Sequence, residues 1–236
     1  MALYAISDLH LAIGVDKPMD VFGSGWIDHM DRLRENWERT IQPGDTVLMP
    51  GDFSWATYLS EAIPDFTWLE SLPGRKIMTK GNHDYWWTTQ RKMDAFFMEN
   101  GFKSIRILHN NAVLVGDFAI CGARGWKSPG DEDFSPEDRK IFLREQERLK
   151  LSMQAAAQLG TGKRCVLLHF PPFNARREPG AYVDIMREYG ASHCLYGHLH
   201  GRGRYAAIQG MRDGIDYRLV AADNLQFQPL MISADG

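Results

Sequence analysis

Short apolar runs alternate with longer amphipathic segments in the first half of the chain. The apolar runs have the length of buried strands and cover residues 3–7, 46–49 and 75–79. Between the first two runs, apolar residues recur at helical spacing from Ile27 to Ile41. A second helix is predicted within residues 60–72, where Pro64 obscures its start. Because strands that alternate with helices favour crossover connections, we expect parallel strands in this half.

The second half of the chain combines shorter strands with one long helix. Strands are predicted at residues 106–109, 112–115, 118–122, 164–168 and 194–196. The segment from Ser135 to Asp138 resembles a capping box and predicts a helix that continues to about residue 159. In the tail, the alternation of residues on both sides of Arg212-Asp213-Gly214 predicts an antiparallel hairpin.

These elements predict an α/β fold class of the α+β sandwich type, in which two β-sheets are flanked by helices. No repeat, linker or low-complexity segment divides the chain, so we expect a single domain over residues 1–236. The segment 128–159 is acidic at first and then helical. It is predicted either to form a helical cap that selects substrates or to be a plain solvated helix.

Composition narrows the class of protein. Of the 236 residues, 44% are hydrophobic and 24% are charged, as in ordinary soluble globular proteins, which excludes intrinsic disorder, collagen and coiled coil. The net charge of −3 argues against a dedicated nucleic-acid partner but not against a small anionic substrate. The three cysteines lie in separate apolar stretches without a C-x-x-C pair, which predicts reduced thiols and a cytoplasmic location. No signal-peptide pattern follows Met1, and no apolar run reaches the roughly 18 residues of a membrane span.

Polar side chains follow the predicted strands at the points where the strands end. The clusters are Asp8-x-His10, Gly51-Asp52, Gly81-Asn82-His83-Asp84, His169 and Gly197-His198-Leu199-His200. Because the carboxyl ends of parallel strands lie along one edge, we expect these clusters to gather two Asp, one Asn and four or five His in one crevice. The i, i+2 spacing of Asp8 and His10 would let both side chains face one way from extended backbone, and the same holds for His198 and His200.

A crevice of this composition requires a cation. Asp8 and Asp52 would repel each other there, and the burial of unpaired carboxylates is costly. Imidazole and carboxylate ligands together suit Mn, Fe, Zn or Ni better than Ca. Seven ligand-type residues are too many for one ion that must keep a position open, and they fit two divalent ions that share a carboxylate. A pair of such ions favours in-line displacement at phosphorus.

The five clusters stand in the order found in the calcineurin-like metallophosphoesterases, and the sequence resembles that family over nearly its whole length. The resemblance implies a binuclear phosphohydrolase that cleaves a phosphate mono- or diester, with a metal-bridging hydroxide as the nucleophile. It implies ligands for the first metal at Asp8, His10 and His200, and ligands for the second at Asn82, His169 and His198. Asp52 would bridge both metals. His83 would contact the phosphate or protonate the leaving oxygen, and Asp84 would orient the His83 ring.

Substrate contacts are predicted more weakly, because packing or surface roles suit the same positions equally well. The candidates are Trp86, Arg124, Trp126 and Arg176. The expected partner is a small phosphorylated molecule. The histidines His29, His109 and His193 belong to no cluster, and we expect them to have structural or surface roles.

Two alternative functions stay open. One is a nucleotide or pyrophosphate hydrolase of the same fold. The UDP-2,3-diacylglucosamine hydrolases also open with Asp-x-His, but they usually have Asn-Arg where this chain has Asn82-His83. The other is a non-catalytic metal-binding interaction scaffold. Such scaffolds tend to lose ligands or the acid histidine, whereas this chain has all of them, which favours an enzyme.

Overall fold

Eleven β-strands and five α-helices form the regular structure of residues 1–234, the part of the chain that the computed structural model describes. The elements of the first half are β1 (Leu3–Ala5), α1 (His29–Thr40), β2 (Thr46–Pro50), α2 (Ile63–Ser71), β3 (Arg75–Thr79), α3 (Gln90–Glu99) and β4 (Ile105–Ile107). The elements of the second half are β5 (Val113–Val115), β6 (Phe118–Ala123), α4 (Pro136–Ala157), β7 (Lys163–Leu168), α5 (Ala181–Glu188), β8 (His193–Tyr196), β9 (Gly210–Arg212), β10 (Ile215–Leu219) and β11 (Leu230–Ser233).

The strands form two sheets. The first sheet has the order β11-β1-β2-β3-β4, and the second has the order β5-β6-β7-β8-β10-β9. Strands β1 to β4 run parallel to one another, and so do β6, β7, β8 and β10. The edge strands β11, β5 and β9 are antiparallel to their neighbours. The parallel strands of the first half and the antiparallel hairpin around Asp213 are therefore as predicted.

Three clusters of buried side chains hold the sheets and helices together. One cluster lies between the two sheets and joins residues such as Leu48 of the first to Leu167 of the second. A larger cluster packs α1, α2 and α3 against the outer face of the first sheet and includes Trp37 and Phe66. A third packs α4 and α5 against the second sheet, with Leu149 fully buried. The predicted α/β sandwich of two sheets with flanking helices is confirmed.

The chain crosses from one sheet to the other directly before Asp8. β1 is two residues shorter than the predicted run 3–7, because Ser7 no longer pairs within the first sheet. The backbone N–H of Ser7 donates to the carbonyl of Val220, and its carbonyl accepts from the N–H of Ala222. Both partners follow β10 of the second sheet. This crossing places Asp8 between the carboxyl ends of the two sheets.

The long helix α4 belongs to the outer layer of the sandwich. The reciprocal hydrogen bonds of Ser135 and Asp138 form the predicted capping box at its N-terminus. Its buried side chains, including Phe142 and Met153, contact β6 and α5. The helical part of the segment 128–159 therefore packs on the second sheet, and a role of the segment in substrate selection stays a prediction. No helix within residues 1–234 is long and apolar enough to span a membrane.

Helices α3 and α5 lie outside the predicted elements. In α5 the buried residues Tyr182, Val183, Ile185 and Met186 occupy nearly consecutive positions, so the helical period is hard to read from so short a segment. The signal for α3 is clearer, because its buried side chains follow helical spacing and the Thr89 side chain caps its N-terminus. These two helices complete the outer layers and leave the strand ends open.

Candidate metal centre

The five predicted clusters meet at the carboxyl ends of strands from both sheets. The clusters at Asp8, Asp52 and Asn82 follow β1, β2 and β3 of the first sheet. His169 follows β7, and His198 begins the loop after β8 in the second sheet. Because the two sheets pack face to face, their strand ends form the two sides of one crevice.

Glycines in these clusters allow neighbouring loops to touch. A Cβ atom at Gly81 would overlap the backbone nitrogen and a carboxylate oxygen of Asp52. A Cβ at Gly197 would overlap the carboxylate of Asp8 and the hydroxyl of Ser7. The glycines of the Gly81-Asn82 and Gly197-His198 pairs are therefore required by the close approach of adjacent loops to the two aspartates.

Substitution of Gly81 by alanine is expected to lower the free energy of unfolding by about 2 kcal/mol, because the added methyl group has no room beside Asp52. Urea denaturation of both proteins measures this difference. Gly162→Ala is the matched control, since a Cβ there meets no atom within 4 Å. If the two variants lose the same stability, the close approach at Gly81 does not constrain the loop.

Several predicted ligands adopt left-handed backbone conformations. The φ angles are +58° at Asp8, +49° at His10, +51° at Asp52 and +71° at His198. Residues other than glycine seldom adopt these angles, and strained positions of this kind cluster at functional sites. The expectation that the Asp8/His10 and His198/His200 pairs leave extended backbone is therefore wrong, and tight turns direct these side chains into the crevice.

The first ligand group comprises Asp8, His10 and His200, whose ligand atoms lie within 4.8 Å of one another. The Nε2 atom of His200 is 3.2 Å from Oδ1 of Asp8. Its Nδ1 atom is 2.9 Å from Oδ1 of Asp223, a residue that no sequence motif indicates. Because a proton on Nδ1 can be donated to Asp223, the lone pair of Nε2 is left to face Asp8.

The second ligand group comprises Asn82, His169 and His198. The Oδ1 atom of Asn82 lies 2.7 Å from Nε2 of His169 and 2.9 Å from Nδ1 of His198. Nδ1 of His169 lies 3.1 Å from the carbonyl of Pro50, to which it can donate a hydrogen bond, and this leaves Nε2 as the ring nitrogen that can bind a cation in the crevice. The predicted set of three is therefore brought together by side chains from both sheets.

Asp52 lies between the two groups. Its Oδ2 atom is 3.3 Å from Nε2 of His169 and 3.9 Å from Nε2 of His10. Its Oδ1 atom accepts a hydrogen bond of 2.8 Å from the backbone N–H of His83. One carboxylate therefore reaches a member of each ligand group, as expected of a bridging ligand.

The chemistry of these donors fits divalent cations. Carboxylate, amide and imidazole atoms that carry lone pairs converge within hydrogen-bond distance, and Asp8 and Asp52 are both buried. Burial alone lowers the pKa of His169, but the charges of Asp52 and Asp8 outweigh it and raise that pKa to about 9. Burial likewise opposes charge on His200, yet its bonds to Asp223 and Asp8 raise its pKa to about 10. The negative charge of the crevice thus attracts cations strongly, whether protons or metal ions.

The family comparison agrees with this geometry. The model of the calcineurin-like phosphoesterases matches residues 1–202. The chain belongs to the calcineurin-like phosphoesterase family. Membership implies metal-dependent phosphoester hydrolysis, and members typically use divalent metals. The matched range contains every predicted ligand and ends before Asp223.

Solved structures support the fold at low sequence identity. A protein of unknown function from Aquifex aeolicus is 16% identical, with a TM-score of 0.51 over 98% of this chain and 95% of that one. The phosphopantetheinyl hydrolase of Mycobacterium tuberculosis is 14% identical, with a TM-score of 0.52 over 93% and 88% of the two chains. A protein from Thermus thermophilus is 12% identical, with a TM-score of 0.52 over 84% and 81%. No curated protein sequence matches the chain significantly.

His83 and Asp84 occupy different environments. The His83 ring lines a large cavity beside the ligand groups, and its Nδ1 atom has no hydrogen-bond partner within the described residues. The Asp84 carboxylate points the other way and accepts from the backbone N–H groups of Gly81, Asp52 and Phe53 at 2.7, 3.0 and 2.9 Å. Asp84 therefore ties the two loops together. The interpretation that it orients the His83 ring needs correction, because the contact is absent among the described residues.

Of the four predicted substrate residues, Arg124 and Trp126 are in contact, with the guanidinium carbon of Arg124 4.4 Å from the centroid of the Trp126 ring. Trp86 is only 3% exposed and packs against Phe66, so it belongs to the core and its prediction as a lining residue is wrong. The Arg124 guanidinium pairs with buried Glu145 and lines a small cavity with Lys80. Core packing therefore explains the position of Trp86, and the ion pair with Glu145 explains that of Arg124.

Trp126 and Arg176 are the other two substrate candidates. Trp126 lines a cavity of about 260 Å³ together with His198, and its indole N–H donates to Asp138. This position next to the second ligand group is compatible with substrate contact. Arg176 is exposed in the loop after β7, and it lines none of the three cavities found among the described residues.

A cavity of about 1150 Å³ opens beside the first ligand group. Several of its lining residues, such as Asp223, were not indicated by any sequence motif. His10, His83 and His200 form its inner end. Further out it is lined by aromatic, cationic and acidic side chains, among them Lys17, Phe22, Trp26, Arg32, Trp55, Glu61, Tyr85, Arg204, Asp223 and Phe227. Most of these side chains come from turns and loops, where hydrophobic periodicity carries no signal.

Proposed function

We propose that this protein is a binuclear metal-dependent phosphohydrolase that cleaves a phosphate mono- or diester of a small molecule. The observation that carries the proposal is the convergence of six ligand-type side chains around Asp52, with His83 at the adjoining cavity. Structural scaffolds have no need to gather buried carboxylates and imidazoles beside a large cavity.

The residues divide into ligands and a proton donor. Asp8, His10 and His200 would hold one ion, Asn82, His169 and His198 would hold the other, and Asp52 would contact both. When bound, such ions activate water and neutralise charge on the phosphate. His83 would donate a hydrogen bond or a proton to the phosphoryl or leaving oxygen, since its ring faces the cavity.

The structural relative from Mycobacterium tuberculosis supports the hydrolase class. Its name describes hydrolysis of a phosphopantetheinyl group, and it shares the fold over most of both chains. At 14% identity, this likeness supports a common architecture. The substrate has to be inferred from the side chains of this chain.

The proposal is tested by hydrolysis of p-nitrophenyl phosphate and bis-p-nitrophenyl phosphate. The purified protein is stripped of metal and then assayed with Mn²⁺, Fe²⁺, Zn²⁺ or Ni²⁺. We expect turnover that requires added metal, and the ratio of the two rates distinguishes a monoesterase from a diesterase. Binding of two metal equivalents without turnover of either ester would instead indicate a metal-binding scaffold.

Asp223 is expected to position His200 for metal binding. Substitution of Asp223 by asparagine removes the charge behind Nδ1 of His200, and the dissociation constant for Mn²⁺ should rise about 10- to 100-fold. Calorimetric titration of the metal-free protein with Mn²⁺ measures this constant without reference to activity. Asp216→Asn is the matched control, because Asp216 lies in β10 and pairs with Arg218. Unchanged Mn²⁺ affinity in Asp223→Asn would refute the positioning role.

A further inference from the structure

The large cavity is far bigger than a phosphate group requires. Its volume of about 1150 Å³ is at the upper end of cavities that enclose whole organic ligands. His10, His83 and His200 lie at its inner end, so a phosphoester bound at the ligand groups would extend its organic part into this space. The side chains that line the cavity therefore select the organic part of the substrate.

Aromatic rings form much of the cavity wall. The rings of Phe22 and Trp55 are nearly parallel, with an interplanar angle of 5° and centroids 6.3 Å apart. Phe22 is 57% exposed and Tyr85 is 62% exposed, although both line the cavity. Exposed rings at the mouth of a site have apolar faces that a ligand can cover.

The Trp55 ring is held in place by neighbouring side chains. The indole N–H of Trp55 donates to the sulfur of Met19 at 3.0 Å, and its ring stacks on that of His10 with centroids 5.0 Å apart. The ammonium of Lys17 lies 4.3 Å from the centroid of the Trp55 ring, so a positive charge adjoins the aromatic wall. A rigid wall of this composition suits a flat π-system that carries a negatively charged group.

We propose that this cavity binds the leaving group of the substrate, and that the leaving group carries a planar aromatic ring which stacks on the exposed ring of Phe22. The proposal rests on the hydrolase function above. The ring could belong to an aryl alcohol or to the base of a nucleoside, because every nucleobase presents the same kind of π-face. The shared chemistry is a planar ring within reach of the phosphate.

Two ligands that differ in planarity test the proposal without turnover. At a pH high enough for both to be dianions, phenylphosphonate and cyclohexylphosphonate have the same charge and similar size, and neither has a phosphoester bond to hydrolyse. Hydrophobic burial alone would favour the cyclohexyl ring, which is the more apolar. We expect calorimetry on the Mn²⁺-loaded protein to give a dissociation constant about fivefold lower for phenylphosphonate.

Variants of Phe22 show whether stacking causes this preference. Phe22→Leu retains an apolar side chain without a ring, and it should abolish the preference for phenylphosphonate. Phe22→Tyr retains the ring and should keep the preference. Leu143→Ala serves as a control for loss of an exposed apolar side chain, since Leu143 lies on α4 and outside the cavity. Equal binding of the two phosphonates to the wild type, or a preference that survives in Phe22→Leu, would overturn the proposal.

Further arms identify the source of the ring and separate the two proposals. If adenosine 5′-phosphate binds better than ribose 5-phosphate, and this difference also disappears in Phe22→Leu, the result supports a nucleoside as the source of the ring. If only the binding of phenylphosphonate depends on Phe22, the result supports an aryl alcohol as the source of the ring. Should no phosphoester be hydrolysed while the Phe22-dependent preference persists, the binding inference holds and the hydrolase proposal fails.

Discussion

Replacement of Asp52 by asparagine is expected to lower kcat/KM for p-nitrophenyl phosphate by about a thousandfold, which corresponds to about 4 kcal/mol. Asp52 is the carboxylate whose Oδ2 atom reaches His169 at 3.3 Å and His10 at 3.9 Å. The amide of asparagine has one acceptor oxygen and no charge, so it cannot serve both ligand groups as the carboxylate does. Steady-state kinetics with Mn²⁺ measure the loss.

The control for this variant is Asp94→Asn. Asp94 is exposed on α3, and its substitution makes the same change in net charge at a position remote from the crevice. We expect its kcat/KM to stay within about twofold of the wild type. Activity of Asp52→Asn equal to that of Asp94→Asn would show that Asp52 takes no part in the reaction.

Replacement of His83 by alanine is expected to lower kcat by about 10²- to 10⁴-fold while metal content stays unchanged. The His83 ring lies at the cavity, and its hydrogen bond to Asp52 comes from the backbone N–H, which the truncation keeps. The ring also packs edge-on against His10, but it donates no hydrogen bond to either ligand group within the described residues, so we expect both groups to remain in place. Under the proposed function, loss of the ring removes the group that would donate a proton to the leaving oxygen. Turnover assays and elemental analysis of the same preparation give the two quantities.

His169→Ala is the contrasting variant for this experiment. His169 is fully buried and its Nε2 atom contacts both Asn82 and Asp52, so its removal should reduce the bound metal toward one equivalent. Metal loss in His83→Ala with full occupancy in His169→Ala would reverse the two assignments. An effect of His83→Ala on both kcat and metal content would place His83 among the ligands.

The sequence predicted much of the fold because strand periodicity and turn residues act locally. The runs that became β2 and β7 are buried on both faces over most of their length, so their centres are continuously apolar and easily recognised. The capping box of α4 is likewise a local signal. The premature end of β1 could not be predicted, since Ser7 leaves the first sheet to pair with a segment some 200 residues later in the chain.

The sequence correctly predicted that a side chain lies at the crevice where a strand end determines its position. It was wrong where side-chain packing determines the position. All seven predicted ligands meet, because each follows a strand whose carboxyl end points into the crevice. Trp86 lies in the same loop as His83, but its side chain points into the core and packs against Phe53 and Phe66. Sequence proximity to a site says nothing about the direction in which a side chain points.

The sequence by itself determined the set of candidate ligand residues, their order and the fold that would gather them, because these depend on residue types at strand ends. Only the tertiary structure decided which atoms face each other. It placed Asp52 between two ligand groups, Asp223 behind His200, and the rings of Phe22 and Trp55 along one wall of the cavity. These contacts join segments far apart in the chain, and their distances depend on how the two sheets pack and how the loops turn, which no local pattern encodes.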